Sequence, residues 1–305
     1  MGKGRAMTGQ ALALTAADGF VLQGRLHGDP AGARAGVLLA PAMGVPQRFY
    51  ADFAAWLAAQ GFAVLTFDYR GIGASRPEAF RHSLRGLRAD VDTWAEQDAA
   101  AALDALAARL PAGRPLHWIG HSLGGQIVGL VPRHERVDRI VTIAVGTGYW
   151  RLNAARVRWL VGWMWFVVVP LALRCCGYFP GRRLRKIGDL PAGVMAQWRR
   201  WCLQPDYLMS EDTAHRSARY ARIARPLLSL SFTDDEYMSA RGTERLHAIY
   251  AGAAREMRRI APADIGERRI GHFGFFRPRF AATLWPQVAG WLAAGASDHP
   301  QETLS

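Results

Sequence analysis

"LHWIGHSLGGQ", residues 116–126, runs an apolar strand-like segment into Gly120-His121-Ser122-Leu123-Gly124 and a second glycine, Gly125. Small residues two before and two after a serine let a strand and the following helix approach closely. The serine between them can then take a strained backbone conformation. The pattern G-x-S-x-G gains meaning in a strand, sharp turn, helix context, where the hydroxyl projects above the sheet at the positive end of a helix. A glycine-rich turn whose serine merely caps a helix is the plain alternative reading.

Working outward, β-rich runs alternate with helix-length stretches, the rhythm of a mostly parallel, doubly wound α/β sheet with helices on both faces. Strands are expected at 21–26, 36–39, 63–67, 116–119, 139–144, 226–231 and 256–260, several of them near-continuous apolar runs suited to burial on both sides. Helical spacing of apolar residues occurs at 50–59, 90–110, 124–131, 241–250 and 280–293. The rhythm breaks between about 146 and 219, where tryptophans crowd and strand signals vanish. The expected organisation is therefore a core of residues 10–145, a helical cap insert of 146–219, and the rest of the core at 220–296. The polar ends, 1–10 and 297–305, carry no packing pattern and are expected to be mobile.

A serine hydroxyl is a weak nucleophile at neutral pH and needs a histidine base oriented by a carboxylate. In this sheet type the three follow in the order serine, acid, histidine. "PLLSLSF" (226–232) leads into "TDDEYM", which offers Asp234 and Asp235, and Asp235 is favoured because it lies further past the strand. The last strand leads into "IGHFGFFR" with His272. Parallel strands end on one rim, so both loops should meet Ser122. Acyl transfer also needs donors for the developing oxyanion, one from the N–H after the nucleophile and one from the loop after an early strand. Leu123, and Met43 in "PAMGVPQRFY" (41–50), occupy those places. His82, His117, His121, His134, His215 and His247 lack such a setting.

Bulk properties narrow the rest. With half of its 305 residues apolar and 21% charged, the chain can build a large core and is not mainly disordered. The formal charge of +13 is carried mostly by scattered arginines with no zinc-finger spacing or RNA-binding aromatic signature, so no nucleic-acid partner is expected. Three cysteines, two of them adjacent, make no disulfide framework and fit a reducing cytoplasm. The N-terminal stretch has no sustained apolar run and reads as no signal peptide. "WLVGWMWFVVVPLAL", residues 159–173, would extend about 22 Å as a helix, short of a bilayer core of roughly 30 Å. It contains Gly162 and Pro170, and it reads as a buried or interfacial helix. Beside the basic "GRRLRK" (181–186) it also offers peripheral contact to a membrane.

Together "VLLAPAMG", "GFAVLTFDYRGIGAS", "IGHSLGG", "FTDDEYM" and "GHFGFF" identify a resemblance to the α/β-hydrolase superfamily, in particular its serine aminopeptidase-like and monoacylglycerol lipase-like hydrolases. The resemblance implies a triad at Ser122, Asp235 and His272, a helical cap near 146–219, and a structural turn at "DYRGIGAS" that leaves Asp68 and Ser75 outside the site. Two positions depart from the pattern. Pro41-Ala42 stands where many relatives have His-Gly, and Phe232 where glycine is common. The expected chemistry is cleavage of a small ester or acyl substrate, without metal or organic cofactor. The cap's tryptophans would either line an apolar pocket or pack the cap on the sheet. The same triad could serve a peptidase, amidase or acyltransferase, and an acidic cap residue such as Glu211 or Asp212 poised to hold an amine would favour the peptidase. A catalytically silent binding protein of the same fold is the third reading.

Overall fold

The computed structural model describes residues 9–153, 155–184 and 187–294. Ten strands occur in chain order: β1 (Gln10–Thr15), β2 (Val21–His27), β3 (Ala35–Ala40), β4 (Phe62–Phe67), β5 (Leu116–His121), β6 (Arg139–Ile143), β7 (Tyr178–Phe179), β8 (Leu190–Pro191), β9 (Leu227–Phe232) and β10 (Arg255–Ile260). Eight of them form one sheet in the order β1-β2-β4-β3-β5-β6-β9-β10. The β1–β2 and β2–β4 pairs are antiparallel, and every pair from β4 through β10 is parallel.

The central strands are buried along their whole length because both faces are covered. Alternation then sends neighbouring side chains into different cores. Leu38, Leu65, Trp118 and Leu227 face the core closed by Trp94, Leu103 and Leu106. Val37, Leu39, Val64, Ile119, Leu228 and Leu230 face the opposite core, closed by Phe53 and Leu57 of the helix Ala51–Ala59 and by Trp285, Val288 and Leu292 of Trp285–Ala294. The helical stretch 91–107 starts on Asp90, whose carboxylate accepts the Thr93 N–H at 2.7 Å.

Between β6 and β9 the chain leaves the main sheet. A continuous helical stretch, 155–176, is followed by the β7–β8 ribbon and the helices Ala192–Leu203 and Thr213–Ala221. This layer packs on the first core through Trp165, Trp201, Tyr207 and Tyr220. Tyr207 Oη donates to Gln126 Oε1 at 2.9 Å, joining the insert to the segment just past Ser122.

Two expectations need correction. A strand begins at Gln10, where the polar sequence predicts a mobile end. β1 is an edge strand with little burial, so its sequence carries only a weak apolar alternation. The insert is not purely helical, since two-residue strands such as β7 and β8 leave no periodic trace. Residues 159–173, expected as a buried or interfacial helix, lie within a longer helical stretch, 155–176, that is covered on one side only: Trp165 and Val169 are buried, and Trp159 is 89% exposed. Residues 1–8 and 295–305, including the rest of both polar ends, lie outside the described residues, as do Arg185 and Lys186 of "GRRLRK".

Candidate active site

Ser122 follows directly on β5, and its backbone is at φ 49°, ψ −116°. Such a conformation is costly for a residue with a side chain. The neighbouring glycines show why it persists. A Cβ on Gly120 would lie 2.4 Å from Gly125 Cα, one on Gly124 2.1 Å from the Ala40 carbonyl oxygen, and one on Gly125 2.6 Å from a Val145 methyl. The turn is thus pressed between the ends of β3 and β6, and Ser122 N–H donates to the Ile143 carbonyl at 3.0 Å. The short helix Leu123–Gln126 begins immediately after it, and the Ser122 side chain makes no capping hydrogen bond. Ser122 keeps 8% of its surface open.

The loop after β9 and the segment after β10 meet each other and reach His121, the residue before Ser122. His272 Nδ1 donates to Asp235 Oδ2 at 2.9 Å, with both side chains buried. Asp235 Oδ1 accepts the backbone N–H groups of Tyr237 and Met238 at 2.8 and 2.9 Å, which fixes the carboxylate. Asp234, the alternative acid, turns instead to the backbone and accepts from Ile270 N and Gly271 N. It shapes the histidine loop and leaves the imidazole to Asp235. Glu236 completes the clamp by accepting His272 N–H at 3.0 Å. Because Asp235 holds Nδ1, Nε2 is the nitrogen available for proton exchange.

His121, passed over in the sequence because it adjoins the serine without a loop of its own, ties the rim together. It is fully buried, and its Nε2 lies 3.0 Å from the His272 carbonyl. A carbonyl only accepts, so Nε2 carries the proton, and Nδ1 accepts from Tyr50 Oη at 2.9 Å. Tyr50 Oη in turn accepts Ala42 N–H at 2.8 Å. Burial, with repulsion from His272, drives the His121 pKa well below its ordinary value, consistent with this neutral ring. One chain of hydrogen bonds therefore links the loop after β3, the residue before Ser122 and the backbone of His272. The His121 and His272 rings are 5.2 Å apart.

Met43 sits on that first loop and Leu123 opens the short helix, both nearly buried. The N–H at a helix's first position has no acceptor within the helix. Among the described residues Met43 N has no backbone acceptor outside regular structure. Asp68 and Ser75 are spent on structure: Asp68 accepts from Gln47 N and Ala74 N, and Ser75 Oγ donates to the Asp68 carbonyl. A cleft of about 330 Å³ opens beside His272 among Glu236, Arg269, Arg277 and Arg279, but Ser122 is not among its lining residues.

In the insert, Trp165 meets Trp198 edge-on at 5.0 Å and Trp201 meets Tyr207 at 5.8 Å, so these rings pack the layer. Glu211 accepts from Gln197, Trp201 and Arg200, and Asp212 is an exposed partner of His215.

Residues 31–174, a little under half of the chain, match the family model described as serine aminopeptidase, S33. That span holds Ser122 and Met43 and ends before Asp235. Among solved structures, a soluble variant of monoglyceride lipase from Saccharomyces cerevisiae, in complex with a substrate analogue, superposes with a TM-score of 0.60 at 16% identity, covering 96% of each chain. The monoacylglycerol lipase of Paleococcus ferrophilus gives 0.57 at 16% identity, covering 90% of this chain and 98% of that one. An esterase of Pyrococcus furiosus gives 0.58 at 14% identity, covering 95% and 93%. No curated protein matches the sequence. The sheet order, the turn after β5 and these similarities define an α/β-hydrolase fold. The family-model match is confined to residues 31–174, and the likeness to the solved structures is one of fold.

Proposed function

We propose that the protein is a serine hydrolase that cleaves a carboxylic ester through an acyl-enzyme. The observation that carries the reading is the buried His272–Asp235 pair standing on the same sheet rim as a serine held at positive φ. Ser122 Oγ attacks the ester carbonyl while His272 Nε2 takes its proton. The new Oγ–C bond forms, the bond from carbon to the alkoxy oxygen breaks, and the leaving alkoxide receives that proton. Water then repeats the sequence and frees the acid. Asp235 holds the imidazole tautomer and stabilises the imidazolium. The Leu123 and Met43 N–H groups receive the oxyanion, each contributing roughly 3 to 4 kcal/mol to transition-state stabilisation.

An ester is preferred to an aminoacyl amide because Glu211, the acidic cap residue suited to an amine, is already occupied by Gln197, Trp201 and Arg200. The similarity to lipases and esterases supports the same choice.

Labelling with a fluorophosphonate tests the proposal. The native protein should label, while Ser122→Ala and His272→Ala should not, and ester turnover in Ser122→Ala should fall by about a millionfold. Undiminished labelling of Ser122→Ala would refute the nucleophile. A panel of acyl esters against aminoacyl amides tests the substrate class, and faster amide cleavage would overturn the ester assignment.

A further inference from the structure

Six of the ten exposed large hydrophobic side chains among the described residues lie on one helix, 155–176: Trp159, Leu160, Trp163, Phe166, Val167 and Leu171. Their spacing of three and four places them on one side of the helix. The other side is covered. Trp165 and Val169 are buried, and Arg199 Nε donates to the Trp165 carbonyl at 2.6 Å from the helix Ala192–Leu203. A helix with an apolar face already buried would ordinarily present polar residues outward. This one presents tryptophan and phenylalanine.

Charge frames that face. Between Asp138 and Asp189 the sequence contains nine basic residues and no acidic one. Arg158 stands exposed before Trp159, Arg174 continues the outward side one turn beyond Leu171, and Arg183 is exposed in the turn after β7, beside Arg182, which lies 4.0 Å from Asp189. We infer that the outward face of helix 155–176 docks on an anionic phospholipid surface, with the helix lying in the interface. Tryptophans suit the headgroup boundary, and arginines at the helix ends keep their charge in the headgroups while the apolar face enters the acyl region.

The observations favour this occupant over the others. A second copy would bring two like-charged borders together around the apolar seam. The stretch Arg158–Cys176 is long and apolar enough to cross a bilayer by length and composition. Crossing, however, would strip away Trp198, packed edge-on against Trp165, and the Arg199 hydrogen bond.

Flotation with phosphatidylcholine vesicles, with and without phosphatidylglycerol, tests the inference and does not depend on any catalytic assignment. The full chain should float with the anionic vesicles. It should come off in high salt, because each surface arginine is worth about a fivefold change in partition. Combining Trp159→Ser, Trp163→Ser and Phe166→Ser should lower partition by about tenfold per side chain. Circular dichroism melting of that variant should stay close to that of the native protein, since of the three only Phe166 makes a ring contact among the described residues, edge-on with Trp150 at 5.8 Å. The pair Trp159→Ser, Trp163→Ser, which leaves that contact intact, should lower partition in the same direction. No flotation of the native protein, or equal flotation of the variant, would overturn the proposal. So would a native dimer that the variant dissolves without any vesicle binding. Resistance to alkaline carbonate extraction would overturn it in favour of a spanning helix.

Discussion

The rim that carries Ser122 and the insert beside it solve opposite packing problems. At the rim, Gly120, Gly124 and Gly125 let backbone press on backbone until no methyl group fits, and polar side chains are locked by defined partners. In the insert, Trp165 and Trp201 fill a conventional core while Trp159 and Trp163, of the same residue type, point outward. Composition alone does not distinguish these tryptophans. The contrast teaches that close approach specifies the rim, whereas the insert's outer face is specified by something other than folding.

The most severe way to test the comparison is to add one methyl group at the rim. Gly124→Ala places a Cβ against the Ala40 carbonyl, which is backbone and cannot rotate away. It should cost about 3 kcal/mol in denaturant unfolding. A loss near zero would show that the close approach is not required.

Acid separates the same two regions. Burial lowers the pKa of His27, His117 and His247 from 6.5 to about 4, and all three belong to the sheet or to a helix packed on it. Unfolded, each binds a proton below about pH 6.5. Folded, each stays neutral until about 4. Their contribution is therefore complete above pH 6.5 and is lost as pH falls toward 4, by at most about 3 kcal/mol per group. Among the described residues the insert buries no histidine, its His215 being exposed. Hydrogen exchange at pH 5 should rise first in the sheet, and earlier loosening of the insert would contradict the assignment.

A smaller effect sharpens the rim itself. His121→Phe keeps the volume but removes both ring hydrogen bonds, releasing the His272 carbonyl and the Tyr50 hydroxyl. Ester kcat should fall roughly tenfold to a hundredfold, with KM nearly unchanged, as expected for misplacement of a reacting group. An unchanged kcat would reduce the network to a packing role.

Much of this arrangement was legible in the chain. The apolar runs at β3, β4 and β9 announce doubly covered strands, and the glycines around Ser122 announce a turn too tight for side chains. Position along the chain favours Asp235 over Asp234 but does not fix which carboxylate meets the imidazole. Their roles diverge because a loop turns one carboxylate toward backbone N–H groups and the other toward an imidazole, a difference of direction that spacing does not encode. β1 escaped notice because an edge strand buries too little to leave a strong pattern. His121 escaped because its partners, Tyr50 and the His272 carbonyl, lie 71 and 151 residues away in sequence.

Sequence by itself determined the alternation of strands and helices and the residue types at the elbow, because periodicity and glycine placement are local consequences of backbone sterics and burial. Tertiary structure alone decided which aspartate meets His272, how His121 couples the two loops, and which side of helix 155–176 remains uncovered. Those outcomes depend on where distant segments come to rest, and hydrogen-bond direction and exposure exist only once they have done so.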